Sequence, residues 1–172
     1  MTFTVESRYN RLMSHNQPLR LERVFQAYAP PLYFVTLCAR ERRRIFNTEQ
    51  VHNAFVNYCR RALDHNITVG RYVLMPDHIH FFVQGDLSFD LGLWIRGLKR
   101  VVAAAVSGGR RQVKASSQRS IWQRGFFDHV IRNTESYAQK WDYVRENSVR
   151  AGLVEKNDEW NFQGEIAVID RL

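Results

Sequence analysis

The sequence contains little cysteine and proline, and it has no long apolar segment. Its 172 residues include two cysteines and four prolines. Because the cysteines lack metal-ligand spacing, they exclude a disulfide framework and a cysteine-based zinc site, and we expect Cys38 and Cys59 to be buried free thiols. No apolar run approaches the roughly 20 residues that a membrane-spanning helix needs, and the first residues lack the apolar core of a signal peptide. We therefore expect a cytoplasmic protein that has no membrane partner.

Acidic residues are also in the minority. The chain has 25 Lys and Arg against 17 Asp and Glu, which gives a formal net charge of +8. A positive field of this kind favours polyanions, nucleic acid above all, although an anionic membrane surface would attract it too. A hydrophobic content of 45% excludes a disordered chain. Its length predicts one domain over residues 32–172, preceded by a basic arm over residues 1–31.

Apolar periodicity predicts strands and helices in alternation. Asn47 and Gln50 resemble a capping box that opens the first helix, and the turn Pro76–Asp77 joins a predicted hairpin. The predicted elements are a strand over 32–39, a helix after Asn47, strands over 67–75 and 78–85, a helix over 89–106, an irregular strand over 121–132 and a helix from about 134 to 150. This β-α-β-β-α-β-α order predicts an α+β fold with a ferredoxin-like antiparallel sheet.

The stretch LMPDHIHFFVQ places two histidines on one strand. Side chains at i and i+2 of a strand point to the same face, so His78 and His80 project together while Ile79 and Phe81 point the other way. Two neighbouring imidazoles can hold one metal ion. A pair of hydrogen-bonded structural histidines is the alternative that the spacing leaves open.

The last predicted helix carries a tyrosine on its polar side. Tyr137, Trp141 and Val144 form an apolar stripe, whereas Tyr143 lies beside Lys140, Asn147 and Arg150. The amide oxygen of Asn147 is a suitable ligand for a hard metal ion. The alternative for Tyr143 is a packing residue whose hydroxyl faces water.

Three segments together resemble a known family. The histidine pair after MPDH, followed by IWQRGFFDHVIRN and by WDYVRENSVRAGLV, is similar to the REP-associated tyrosine transposases, which are related to the IS200-like, single-tyrosine HUH transposases of insertion sequences. The resemblance covers roughly Leu32 to Trp160. Members of the family commonly have proline where this chain has Ser148, which leaves the end of the last helix open.

The resemblance implies a ferredoxin-like HUH fold, with helices on one face of the sheet and a C-terminal helix that carries the nucleophile. It implies an endonuclease that cleaves and rejoins single-stranded DNA near hairpin-forming repeats, such as repetitive extragenic palindromes, through a 5′-phosphotyrosine intermediate. By the resemblance, Tyr143 is the nucleophile, and His78, His80 and Asn147 are ligands of Mg²⁺ or Mn²⁺. A monomer and a homodimer are both compatible with it.

The roles of several other side chains have two interpretations. Basic residues near these motifs either contact DNA phosphates or are solvated surface charges: Lys99, Arg100, Arg110, Arg111, Lys114, Arg119, Lys140 and Arg150. His129 is a third metal ligand or, as we expect, a structural hydrogen-bonding residue. Trp160 stacks on a base or packs in the core.

Three functions follow from these residues. The first is the DNA-cleaving transposase that the resemblance implies. The second is a catalytically idle protein that binds hairpins of DNA or RNA. The third is a zinc hydrolase built on His78, His80 and His129, in which tyrosine has no role.

Overall fold

The computed structural model of the chain describes residues 30–108, 120–131 and 134–169. Residues 1–29 of the predicted arm lie outside the described residues, and so do Arg110, Arg111, Lys114 and Arg119 of the basic loop. The strands and α-helices in the described ranges are β1 Leu32–Cys38, α1 Glu49–Ala62, β2 Thr68–Leu74, β3 His78–Gln84, α2 Leu91–Val106, β4 Phe127–Ile131, α3 Thr134–Arg145, α4 Asn147–Arg150 and β5 Gln163–Glu165. Within these ranges no helix is both long enough and apolar enough to cross a membrane.

The strands form one antiparallel sheet in the order β4-β1-β3-β2-β5. Helix α1 connects β1 to β2. These two strands run in the same direction, and there is room for one strand between them. The hairpin after β2 returns β3 into that position. The order of the first four strands confirms the ferredoxin-like α+β prediction. The edge strand β5 was not predicted, because three residues that include a glycine carry no strand periodicity.

One face of the sheet packs against α1 and α2. Ile79, Phe81 and Val83 of β3 point to this side and are fully buried. Phe55 of α1 and Leu98 of α2 are fully buried against them. Removal of this apolar surface from water at roughly 25 cal/mol per Å² is the main stabilisation that holds the two helices to the sheet.

The opposite face of the sheet packs against α3. Phe34 and Phe82 lie on this side, and Val144 of α3 is buried between the helix and the sheet. Tyr137 and Trp141 pack against the same cluster, which confirms the predicted apolar stripe. Because strand side chains alternate, His78 and His80 share this face with Phe82. Helix α3 is therefore on the histidine side, while α1 and α2 are on the other.

Helix ends differ from the predicted ones in two places. The predicted capping box of Asn47 and Gln50 is wrong, because Thr48 adopts the extended backbone of an N-cap and its side chain accepts a hydrogen bond from the Val51 amide at 3.3 Å. The last helix was expected to continue to about Arg150 but is interrupted at Glu146, between α3 and α4.

The interruption at Glu146 occurs without proline. Ser148 is fully buried, and its hydroxyl donates to the Arg145 carbonyl at 3.4 Å. The amide of Leu153 donates to the Ser148 carbonyl at 3.0 Å, and Gly152 adopts a positive φ of 64° that closes α4. Serine at this position therefore supports the change of direction with side-chain and backbone hydrogen bonds.

The N-cap of α2 provides a test of the fold. The carboxylate of Asp90 accepts a hydrogen bond from the Leu93 amide at 2.8 Å. We expect Asp90→Ala to lower the free energy of unfolding by about 1 kcal/mol in urea denaturation. Asp64→Ala removes an exposed carboxylate that caps no helix and is the control, with an expected change below about 0.5 kcal/mol. Equal losses in the two variants would contradict the cap.

Candidate active site

His78 and His80 lie side by side where β3 begins. Their ring centroids are 4.7 Å apart, with an angle of 79° between the ring planes. The turn before them is closed by a hydrogen bond from the Met75 amide to the His78 carbonyl at 2.8 Å. The structure therefore brings together two of the three metal ligands that the sequence predicts.

Each imidazole uses its Nδ1 atom for a hydrogen bond within the protein. Nδ1 of His78 lies 2.6 Å from Oδ1 of Asp77, and Nδ1 of His80 lies 2.8 Å from the hydroxyl of Thr36. Thr36 stands directly opposite His80 in the β1–β3 register. When each Nδ1 carries the ring proton, the lone pair is left on Nε2, which is the form in which histidine binds a metal.

Burial keeps both rings neutral. It lowers the pKa of His80 to about 3, and the neighbouring His78, Arg42 and Lys140 lower this pKa further in the same direction. Burial also lowers the pKa of His78, although its hydrogen bond to Asp77 opposes this effect. A metal ion would therefore displace no proton from these rings at neutral pH.

The donor set fits a metal ion with two nitrogen ligands that completes its shell with oxygen atoms. In residues 30–108, 120–131 and 134–169, no three His, Cys, Asp or Glu side chains converge on one point. His129 is exposed on β4, opposite Phe34, and does not join the pair. The third histidine that a zinc hydrolase would need is therefore not supplied by His129. Mg²⁺ and Mn²⁺ are both compatible with two imidazoles and added oxygen ligands.

Tyr143, Asn147 and Arg150 form a second cluster. The Tyr143 side chain is 63% exposed, and the guanidinium of Arg150 lies 4.3 Å from the centre of its ring. Arg150 also donates to the carbonyl of Tyr143 at 2.5 Å and to Oδ1 of Asn147. Asn147, the third predicted ligand, thus directs its amide oxygen to Arg150 in this structure.

The two clusters lie on the same side of the sheet but are not in contact. Among the described residues, neither a hydrogen bond nor a ring contact joins Tyr143 to either imidazole. Lys140, one turn before Tyr143, provides the link: its ammonium group lies 5.3 Å from the centre of the Phe34 ring. That ring stacks on His80 at 5.4 Å. The polar edge of α3 therefore borders the histidine pair.

Two other residues with a predicted contact role form hydrogen bonds with the main chain of other segments. The ammonium group of Lys99 donates to the carbonyls of Gln123 (3.3 Å) and Gly125. Trp160 is buried, and its indole NH donates to the Leu74 carbonyl at 3.0 Å, which confirms the packing reading. Arg100 is exposed on α2.

Three supporting residues were not recognised from the sequence. They are Thr36, Asp77 and Arg42, whose Nε lies 2.7 Å from Oδ2 of Asp77. The adjacency of Asp77 to His78 was a signal that could have found it. Thr36 and Arg42 carry no comparable signal, because their contacts depend on strand register and on a turn between distant segments.

A family model and one named relative agree on one family. A family model described as "Transposase IS200 like" matches residues 31–147, more than half of the chain. A REP-associated tyrosine transposase of Escherichia coli (strain K12) is 29% identical over 133 residues, which cover 76% of this chain and 73% of that protein. An uncharacterized protein of Haemophilus influenzae is 21% identical over 169 residues, covering 83% of this chain and 93% of that protein.

A solved structure is similar over most of the chain. It is that of a REP-associated tyrosine transposase bound to a REP hairpin, with 25% sequence identity and a TM-score of 0.62. The match covers 81% of this chain and 80% of the other. The five-stranded antiparallel sheet and its helices thus match the α+β HUH fold.

The hydrogen bond between Asp77 and His78 is expected to increase the affinity of the histidine pair for a metal ion. We expect Asp77→Asn to weaken Mn²⁺ binding about 10- to 100-fold in isothermal titration calorimetry, because the carboxylate orients the ring and raises the basicity of Nε2. Asp64→Asn is the matched control, since Asp64 precedes β2 at the far end of the sheet. An unchanged affinity in Asp77→Asn would show that this carboxylate does not support a metal ligand.

The lowered histidine pKa values predict how stability depends on pH. In the unfolded chain the imidazoles titrate near 6.5, whereas in the fold the pKa of His80 is about 3. Below pH 6.5 the unfolded chain binds more protons, so the free energy of unfolding falls as the pH falls from 6.5 toward 3. We expect His80→Gln to flatten this dependence between pH 7 and pH 5 in urea denaturation with EDTA. The exposed His65, changed to Gln, is the control, and identical slopes in both variants would contradict the prediction.

Proposed function

The chain belongs to the IS200-like transposase family, and from this premise we propose that it cleaves and rejoins single-stranded DNA with Tyr143 as the nucleophile. The observation that carries the proposal is the position of the histidine pair. Both rings have Nδ1 in a hydrogen bond, and both lie on the face of the sheet that α3 covers. A helix with an exposed tyrosine thus borders two neutral imidazoles.

The proposed substrate is single-stranded DNA that forms hairpins, as in repetitive extragenic palindromes. Two observations support it. The similar solved structure is that of a protein bound to a REP hairpin, and the net charge of this chain is +8. Cations contribute to phosphate binding through charge and through the release of counterions.

The proposed metal ligands are His78 and His80, through their Nε2 atoms, with Mg²⁺ or Mn²⁺ as the ion. The amide oxygen of Asn147 would be the third ligand once it leaves Arg150. When bound, the ion would supply positive charge that draws electron density from the scissile phosphate. The protein's own contribution is to hold both rings neutral and oriented through Asp77 and Thr36.

The proposed reaction exchanges one phosphodiester bond for another. The hydroxyl oxygen of Tyr143 attacks the phosphorus, a bond from that oxygen to phosphorus forms, and the bond from phosphorus to the 3′-oxygen breaks. The phenol proton passes to solvent, and the departing 3′-oxygen takes up a proton. Because the number of phosphoester bonds is conserved, attack by another 3′-hydroxyl reverses the link and rejoins DNA without an energy-rich cofactor.

The cations of α3 and α4 have a proposed role beside this reaction. Arg150 contacts the ring and the main chain of Tyr143, so it orients the nucleophile and places positive charge beside it. Lys140 lies one turn before Tyr143 and close to the Phe34 ring that stacks on His80, where its charge would attract a phosphate. Contacts with the flanking DNA are proposed for Lys99, Arg100, Arg110 and Arg111.

A second candidate is a hairpin-binding protein without catalysis. It is favoured by one observation, the packing of Tyr143 against Arg150 rather than against the histidine pair. This candidate keeps the DNA partner and removes any chemical role for the phenol. The two candidates therefore differ in whether a covalent link forms.

Detection of a covalent link between Tyr143 and DNA tests which of the two candidates is correct. The protein is incubated with a labelled single-stranded hairpin oligonucleotide and Mg²⁺ or Mn²⁺, and denaturing electrophoresis detects the adduct. We expect an adduct with the wild type and a loss of at least about 100-fold with Tyr143→Phe, because phenylalanine has no attacking oxygen. Binding of the oligonucleotide is expected to survive this substitution.

The matched control is Tyr137→Phe on the same helix. The Tyr137 ring packs on Phe82 with the centroids 4.3 Å apart, which phenylalanine preserves. We expect this variant to form the adduct as the wild type does. An adduct that persists in Tyr143→Phe would contradict the assignment of the nucleophile. Binding without any adduct in the wild type would favour the idle hairpin-binding protein, and cleavage undiminished by Tyr143→Phe would favour a hydrolase.

A further inference from the structure

A basic cleft lies near the histidine pair, on the side of the sheet that carries α2. It opens between α2, the turn Arg40–Arg42 and the segment 120–125, with a volume of about 880 Å³. One carboxylate, that of Glu41, lines it. The cations that line it are Arg40, Arg42, Arg96, Lys99, Arg100 and Arg124.

Much of this positive charge is not neutralised within the described part of the chain. The carboxylate of Glu41 is paired with Arg40 at 3.3 Å. Arg96, Arg100 and Arg124 make no ion pair or hydrogen bond with a described residue. Cations that face one another repel, and a ligand with several negative charges relieves this repulsion more than single counterions do.

The wall of the cleft is held firmly in place. Trp122 is buried and stacks on Phe46 with the centroids 4.7 Å apart. Its indole NH donates to the Lys99 carbonyl at 2.9 Å, which ties the segment 120–125 to α2. The ammonium of Lys99 lies 5.4 Å from the centre of the Trp122 ring. The backbone segments that carry Lys99 and Arg124 are thus held together before any ligand binds.

The cleft reaches the histidine pair through Arg42. The Nε atom of Arg42 lies 2.7 Å from one carboxylate oxygen of Asp77, whose other oxygen lies 2.6 Å from Nδ1 of His78. Glu41 and Arg42 adopt left-handed backbone conformations, with φ of 56° and 55°. Such conformations are unfavourable in residues other than glycine, so the surrounding contacts must hold this turn in place.

We propose that this cleft binds the phosphate backbone of a single-stranded DNA segment that leads to the histidine pair. The identification of the polyanion as DNA rests on the proposed function. The proposal adds Arg96 and Arg124 as contact residues, and it adds a path for the DNA strand past Arg42. DNA held in the cleft would pass around the end of β1 and β3, where Arg42 joins the two sites. The hairpin itself need not enter the cleft.

The test measures binding without catalysis. Affinity for a labelled single-stranded oligothymidylate, which forms no hairpin, is measured in EDTA by fluorescence anisotropy over a range of salt concentrations. Each phosphate contact contributes about 0.7 to the slope of log K against log salt for single strands. The double variant Arg96→Gln/Arg124→Gln is therefore expected to bind more weakly and to reduce that slope by about 1.4.

The matched control is Arg60→Gln/Arg61→Gln, which removes two exposed arginines at the end of α1 that do not line the cleft. The control is expected to leave the slope within about 0.3 of the wild type. If Arg96→Gln/Arg124→Gln changes the slope no more than the control does, the cleft proposal is overturned, even where the tyrosine adduct still forms. If the wild type binds no oligothymidylate but still forms the adduct with a hairpin, only the cleft proposal fails. If the wild type neither binds DNA nor forms the adduct, the proposed function fails as well.

Discussion

The register between β1 and β3 fixes the histidine pair, and the other features of the site depend on it. Thr36 stands opposite His80 and Cys38 opposite His78. A shift by one residue would turn both histidines toward α1 and α2 and would remove Ile79 and Phe81, which are fully buried, from the core that these helices form. The apolar core that stabilises the fold thus also specifies which face carries the imidazoles. Helix α3 packs on that same face.

Asp77 joins two parts of the molecule that the sheet would otherwise separate. One of its oxygens accepts from His78, and the other pairs with Arg42, whose guanidinium lines the basic cleft. A carboxylate between a cation and a neutral imidazole holds the orientation of both. Two short contacts therefore connect the proposed DNA path to His78, one of the proposed metal ligands.

The sequence alone predicted the features that follow from local periodicity. The positions of β1, β2 and β3, the common face of His78 and His80, and the apolar stripe of α3 are local patterns, and the structure confirms them, whereas the strand predicted over 121–132 is limited to Phe127–Ile131. The edge strand β5 and the interruption at Glu146 could not be predicted, because they depend on contacts between distant segments. The same holds for Thr36 and Arg42, whose partners are set by register and by a strained turn. The placement of Tyr143 against Arg150 also depends on how α4 follows α3.

The proposed function requires that both imidazoles present Nε2 to one metal ion on the face that α3 covers. Electron spin-echo spectroscopy of the protein loaded with Mn²⁺ tests it most directly, because the modulation reports nitrogen nuclei bound to the ion. We expect couplings from two imidazole nitrogens in the wild type and from one in His80→Ala. A spectrum without nitrogen coupling, or a coupling that survives when His78 and His80 are both replaced by alanine, would contradict it.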